Sequence, residues 1–187
     1  VVHTQPYLVG FGKKKPEKFE LVISGDKEKK LEYAKSLLGK EIKISDVFKE
    51  GQFIDIHGIT KGKGFQGTVK RFGVTIRHHK SEKTKRGIGS LGPWTPKRVS
   101  FRTPMPGKMG YHKRTEYNKW VLKIDNKADE INPKGGFLQY GLVKNDYILL
   151  KGSIIGPRKS LVMLSEPMRT DKIIQPDIRY ISLESKQ

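Results

Sequence analysis

Residues 60–119 constrain this chain more than any other part of it. The segment holds 16 of the 38 lysines and arginines but only two of the 19 acids, Glu82 and Glu116. Its net charge is +14, out of a formal +19 for all 187 residues. It also carries nine glycines, four prolines and no alanine. Like charges at this density repel one another, and glycine and proline break helices, so neither a long helix nor a dense core fits the composition. So basic a protein needs a polyanion to neutralise it, and nucleic acid is the first candidate. An anionic membrane surface would call for a basic amphipathic helix, which the sequence does not show.

The apolar residues of the segment stand apart from one another: Phe65, Phe72, Ile88, Leu91, Trp94, Phe101, Met105 and Tyr111. Aromatic rings spaced among lysines and glycines suit stacking on RNA bases while the cations take the phosphates. The plainer reading is a disordered basic linker. Flexible linkers rarely carry so many aromatic residues, so the expectation is an extended loop ordered by its partner.

The flanks read differently. In "DKEKKLEYAKSLL" (26–38), Leu31, Ala34, Leu37 and Leu38 recur at helical spacing, and Gly39 is placed to end the helix. "KFELVIS" (18–24) and "QFIDIHGI" (52–59) read as strands, with a helical turn at 44–51 between them. Further short β-prone runs follow at 118–125, 146–154, 159–166 and 178–183, separated by turn signals such as Gly156-Pro157. The pattern predicts a mainly β fold with minor α, antiparallel and barrel-like, with one clear helix. Trp120, heading "WVLKI", belongs by this reading to the core or the rim of the sheet. The organisation expected is an α/β part with barrel strands at 1–59, a basic loop at 60–117, and further strands with a C-terminal tail at 118–187.

Gly62-Lys63-Gly64-Phe65-Gln66-Gly67 fits the G-x-G-x-x-G pattern of dinucleotide sites. Such a site needs a strand before it, a helix after it, and an acid about 20 residues on. "FIDIHGI" supplies the strand, but "QGTVKRFGVTIR" reads as β-prone and glycine-broken, and the nearby acid is Glu82 inside the basic loop. The glycines instead let the backbone approach phosphates closely. Lys61, Lys63, Lys70 and Arg71 are then phosphate contacts, and Phe65 wedges against sugars or bases. The same reading covers Arg77, His78, His79, Lys80, Lys83, Lys85 and Arg86 further out, and Lys97, Arg98 and Arg102 around Trp94. It extends to Lys108, His112, Lys113 and Arg114 on the return. Trp94 lies between Pro93 and Pro96, so it is read as a stacking residue rather than a core tryptophan. The lysine runs at 13–15 and 27–30 are less informative: the second belongs to a solvated helix face, and the first is equally a linker or an RNA contact.

Several function classes are excluded. With no cysteine there is no disulfide, thiol nucleophile or cysteine-type zinc site. No run approaches the ~20 apolar residues of a membrane-spanning helix. On an extended strand His78 and His79 point to opposite sides, so no shared metal is expected. Glu82 and Glu116 are each expected to pair with a neighbouring cation. No nucleophile, base and orienting group come together, so neither an enzyme, a cofactor nor a small-molecule substrate is expected. An RNA nuclease would need a metal-holding carboxylate cluster. A free RNA-binding or RNA-chaperone module remains the alternative to a ribosomal one, and would not co-sediment with large particles.

"DIHGITKGKGFQGTVKRFGV", "GIGSLGPWTPKRV" and "GKMGYHKRTEYNKWVLKI" together resemble large-subunit ribosomal protein three in its archaeal form. "LQYGLVKNDYILLKGSIIGPRKSLVMLSEPMR" and "IRYISLESKQ" extend the resemblance, in order, over essentially the whole chain. The resemblance implies a translation-protein-type β-barrel, incomplete here because members of this type are longer at the N-terminus. It further implies a loop that threads into large-subunit (23S-type) rRNA toward the peptidyl transferase centre, with neighbouring ribosomal proteins as partners and a cytoplasmic location in the ribosome. The family's loop falls on about 60–117, its tip on Gly92-Pro93-Trp94-Thr95-Pro96, and its tip tryptophan on Trp94. Eukaryotic members have a modifiable histidine in a K-T-H-R-G context. Lys85 stands at that place here, in Lys83-Thr84-Lys85-Arg86-Gly87, so that feature is not carried over.

Overall fold

The computed structural model describes residues 1–185. In chain order its elements are β1 (Val2–His3), β2 (Lys18–Phe19), α1 (Lys27–Leu37), β3 (Phe53–Ile59) and β4 (Phe65–Gln66). These are followed by α2 (Thr68–Phe72), β5 (Gly107–Lys108), β6 (Lys113–Asp125), β7 (Tyr147–Leu150) and β8 (Met163–Ser165). The protein is mainly β with minor α. It forms two compact units: Val1–His57, Thr115–Ile154 and the chain from Arg158 on make the first, and Gly58–Arg114 with Ile155–Pro157 make the second.

The first unit is built on one four-stranded sheet in the order β7-β6-β3-β8. Its antiparallel registers set Ile56 opposite Leu164 and Val121 opposite Leu150. The sheet is open, with β7 and β8 at its edges among the described residues, where the sequence reading expects an incomplete barrel. Ile54, Ile56 and Val121 are fully buried, and with Phe48 they form the core against which Ile124, Ile148, Leu150 and Leu164 pack. Gly51 sits where the chain enters this core, with φ +82° and only 2.7 Å between the Ile174 carbonyl oxygen and the place a Cβ would take. A side chain there would clash and strain the backbone together.

Alternation along β3 sends Ile54 and Ile56 to one face, so Asp55 between them belongs to the other. Yet Asp55 is also fully buried. Its carboxylate is satisfied by backbone donors, accepting from the Asn118 N–H at 2.9 Å and the Met168 N–H at 3.0 Å. A buried carboxylate requires such partners. Next along the other side, the His57 ring lies 2.8 Å from Thr115 Oγ1 and 3.0 Å from Ser165 Oγ. Side chains of β3 thus bond to both of its neighbours in the sheet.

Helix α1 matches its apolar spacing, and Gly39, at φ +75°, ends it in the left-handed conformation. The helix buries no residue: Leu31 is 57% exposed. Two strand readings need correction. The run at 18–24 is a strand only at Lys18–Phe19, because its partner β1 is two residues long. The run at 178–183 forms no strand, although Leu183 accepts one backbone hydrogen bond from Lys134. β-Prone residues become a strand only where another strand lies alongside. Trp120 does sit in the sheet, stacked on Phe53 with ring centres 6.4 Å apart, its indole N–H donating to the Ile174 carbonyl.

Candidate nucleic-acid interface

The second unit holds the basic segment. Its base is an antiparallel ribbon between the outgoing and returning arms. Thr60 and His112 are joined through the Thr60 N–H to the His112 carbonyl at 3.0 Å, and Tyr111 N–H returns to Thr60. Lys63 N–H donates to Met109 and Met109 N–H to Gly64, both at 2.9 Å. β4 and β5 then pair, with Phe65 opposite Lys108. The arms approach so closely at Gly110 that an added Cβ would lie 2.0 Å from the Lys61 carbonyl oxygen. Gly62 and Gly64 of the G-x-G-x-x-G run lie on the outgoing arm of this ribbon, Gly64 at φ +65°.

A helix does follow them, contrary to the sequence reading. α2 is a single turn that Gly67 starts in extended conformation and Gly73 ends at φ +71°. Two side chains on its inner face tie it to the loop. Buried Thr68 donates to the Arg86 carbonyl at 3.2 Å on the outgoing arm. Arg71 donates from Nη1 to the Met105 carbonyl at 2.7 Å and from Nε to the Lys108 carbonyl at 3.2 Å on the returning arm. Its guanidinium also lies 4.9 Å from the centre of the Phe72 ring.

Beyond α2 the chain from Gly73 to Pro106 has no strand and is held by turns. Arg77 N–H bonds the Lys85 carbonyl and Ser81 N–H bonds that of His78. The turn at 78–81 places the His78 and His79 rings side by side, 4.0 Å apart, and not on the opposite sides expected of an extended strand. At the tip, Lys97 N–H closes a turn onto the Trp94 carbonyl. Trp94 is 91% exposed and Phe101 92%, with the Arg102 guanidinium 5.6 Å from the Phe101 ring centre. Phe65, Phe72 and Tyr111 are exposed as well.

Of the twenty residues singled out from the sequence for this interface, nineteen are exposed and Arg71 alone is half-buried. Among the described residues, no lysine or arginine of 60–114 makes an ion pair. Glu116 lies 2.8 Å from Lys119 Nζ, although its Oε2 gains no well-aligned hydrogen bond there. Glu82 has no ion pair among the described residues. No group of three or more metal-ligating side chains occurs among them, and no helix is long and apolar enough to cross a membrane. The sequence reading did not single out Asp55, His57 or Thr68. An acid set between two core isoleucines was the one available signal.

Exposed aromatic rings among cations without ion pairs, on a loop closed at its base by its own backbone, are the arrangement a nucleic-acid-binding surface requires. The comparisons narrow it. The family model described as ribosomal protein L3 matches residues 1–187, and the chain belongs to that family. It is 54% identical over its whole length to the protein named large ribosomal subunit protein uL3 from Methanocaldococcus jannaschii, covering 57% of that protein. It is 51% identical to the protein of the same name from Methanothermobacter thermautotrophicus and 52% to that from Methanocorpusculum labreanum, covering 58% of each. The chain thus spans less than two thirds of the curated relatives it matches.

Proposed function

We propose that this chain is a structural constituent of the large ribosomal subunit that binds large-subunit rRNA through the loop 58–114 and performs no chemistry itself. In this reading the exposed cations neutralise phosphates, and the exposed rings stack on bases and sugars where the RNA is not paired. The tip at Gly92–Pro96 reaches toward the peptidyl transferase centre and stiffens the RNA there, among neighbouring ribosomal proteins. The observation that carries the reading is Trp94: a large ring almost wholly in solvent, held by two flanking prolines at the far end of an acid-poor loop. An isolated protein gains nothing from exposing it, whereas a nucleic acid offers bases to cover it.

The test is assembly. The chain is combined with protein-free archaeal large-subunit rRNA and the complex sedimented at increasing salt. Co-sedimentation that persists through a moderate salt wash supports the proposal. A chain that stays at the top of the gradient, or binds every RNA with the same affinity, contradicts it.

A further inference from the structure

We infer that Arg71 is a positioning residue that shapes the RNA-binding loop from within, and is not itself a phosphate contact. The inference rests on the RNA-binding reading above and assigns one cation of the loop a different task. Arg71 is the one residue among the twenty that is not exposed. Its guanidinium bonds two main-chain carbonyls, those of Met105 and Lys108, 34 and 37 residues further along the chain. Gly107 lies between those two residues, and a Cβ there would stand 2.8 Å from Arg71 Nη1. Glycine at 107 is therefore what lets the guanidinium sit against the returning arm. On the same turn Thr68 bonds the Arg86 carbonyl, so α2 grips both arms at once. Carbonyl acceptors and a planar, forked donor match in geometry, which lysine cannot reproduce. A guanidinium with its Nε and one Nη1 donor committed to the returning arm pre-organises the exposed cations around it, and pre-organisation raises affinity by lowering the ordering cost of binding.

This role and phosphate contact predict different salt dependences. Removing a phosphate contact lowers the slope of log affinity against log salt by about one, while removing a positioning group weakens binding at unchanged slope. The experiment measures binding of the whole chain to protein-free archaeal large-subunit rRNA between 50 and 200 mM salt. Lys70→Ala, the exposed neighbour on α2, serves as the phosphate-contact reference and should lose about one unit of slope. Arg71→Gln should weaken binding about ten-fold with the wild-type slope. Arg71→Lys should not restore it, and Gly107→Ala should reproduce the loss although no charge changes. Amide hydrogen exchange of the free variants should quicken at Lys63 and Met109, in the ribbon. The inference is overturned if Arg71→Gln lowers the slope as Lys70→Ala does, if Arg71→Lys binds like wild type, or if Gly107→Ala has no effect. If the wild-type chain itself binds rRNA without salt dependence, the functional reading fails first, and that outcome is separate from these.

Discussion

Asp55 offers a test of the body that carries the loop. Its two carboxylate oxygens accept from the N–H groups of Asn118 and Met168, at 2.9 and 3.0 Å, in a site with no exposure of the carboxyl-bearing residue. Asp55→Ala removes both acceptors and leaves two partly buried donors. Each unsatisfied donor costs about 1–3 kcal/mol, so the loss is about 2–6 kcal/mol. That is a large part of the roughly 5–15 kcal/mol a domain has. At about 2–4 °C per kcal/mol for a chain of this size, the melting midpoint should fall by roughly 5–20 °C. Asp55→Asn keeps one oxygen but turns an NH₂ toward one of the donors, so it should recover less than half of the loss. Thermal unfolding followed by circular dichroism reads both variants. A shift below about 2 °C for Asp55→Ala, or an Asp55→Asn variant as stable as wild type, would refute the assignment of this carboxylate as a buried clamp.

Other expectations follow from the loop and the sheet. If on the order of six to ten loop cations meet phosphates, rRNA affinity should fall by roughly 10³-fold or more between 50 and 200 mM salt, and a flat response would remove charge as the binding device. In the free protein, trypsin should cut first at Lys80, Lys83, Lys85 or Arg86, where no strand holds the backbone, before it cuts Lys63 or Lys108 in the ribbon; equal rates would argue that the loop is uniformly ordered or uniformly loose. Trp94→Ala should leave incorporation into the subunit nearly intact, since the many phosphate contacts remain, but should change chemical reactivity of the RNA at the tip; stacking of one base contributes about 1–3 kcal/mol. Lys123 contacts Glu130 and lies 3.0 Å from Asp125, and its ammonium holds the Asp125 carboxyl below the usual carboxylate range. A depressed carboxylate contributes stability above its unfolded pKa and loses that contribution as pH falls through the folded value. Acid unfolding below about pH 4 should therefore soften in Lys123→Met, and an unchanged acid limb would contradict the pairing.

What could be read directly from residues was local. The charge of 60–119, the alternating isoleucines of β3 and the Gly39 stop after α1 each depend on neighbours in sequence, and each has its counterpart in the fold. The missed features join distant residues. Asp55 meets donors 63 and 113 positions away, and Arg71 reaches carbonyls 34 and 37 positions away, so no spacing rule reveals either. α2 escaped for another reason: five residues show no helical periodicity, and its bounds come from Gly67 and Gly73 with a Thr68 bond to residue 86. The opposite error occurred at 178–183, where β-propensity was present and no partner strand lies alongside among the described residues. In the candidate interface, the exposure of nineteen of the twenty residues was legible because solvated charge needs no partner. The half-buried position of Arg71 was not, because it depends on the two distant carbonyls the side chain bonds.

The central claim is that residues around Trp94 reach the RNA of the peptidyl transferase centre. The chain has no cysteine, so Thr95→Cys gives a single attachment point one residue from Trp94. An iron chelate tethered there and assembled into large subunits generates hydroxyl radicals that cut only nearby RNA. The account predicts cleavage concentrated in the rRNA of that centre, and none from the cysteine-free chain treated with the same chelate. Cleavage from position 95 confined to RNA at the particle surface, or absent altogether, would contradict it.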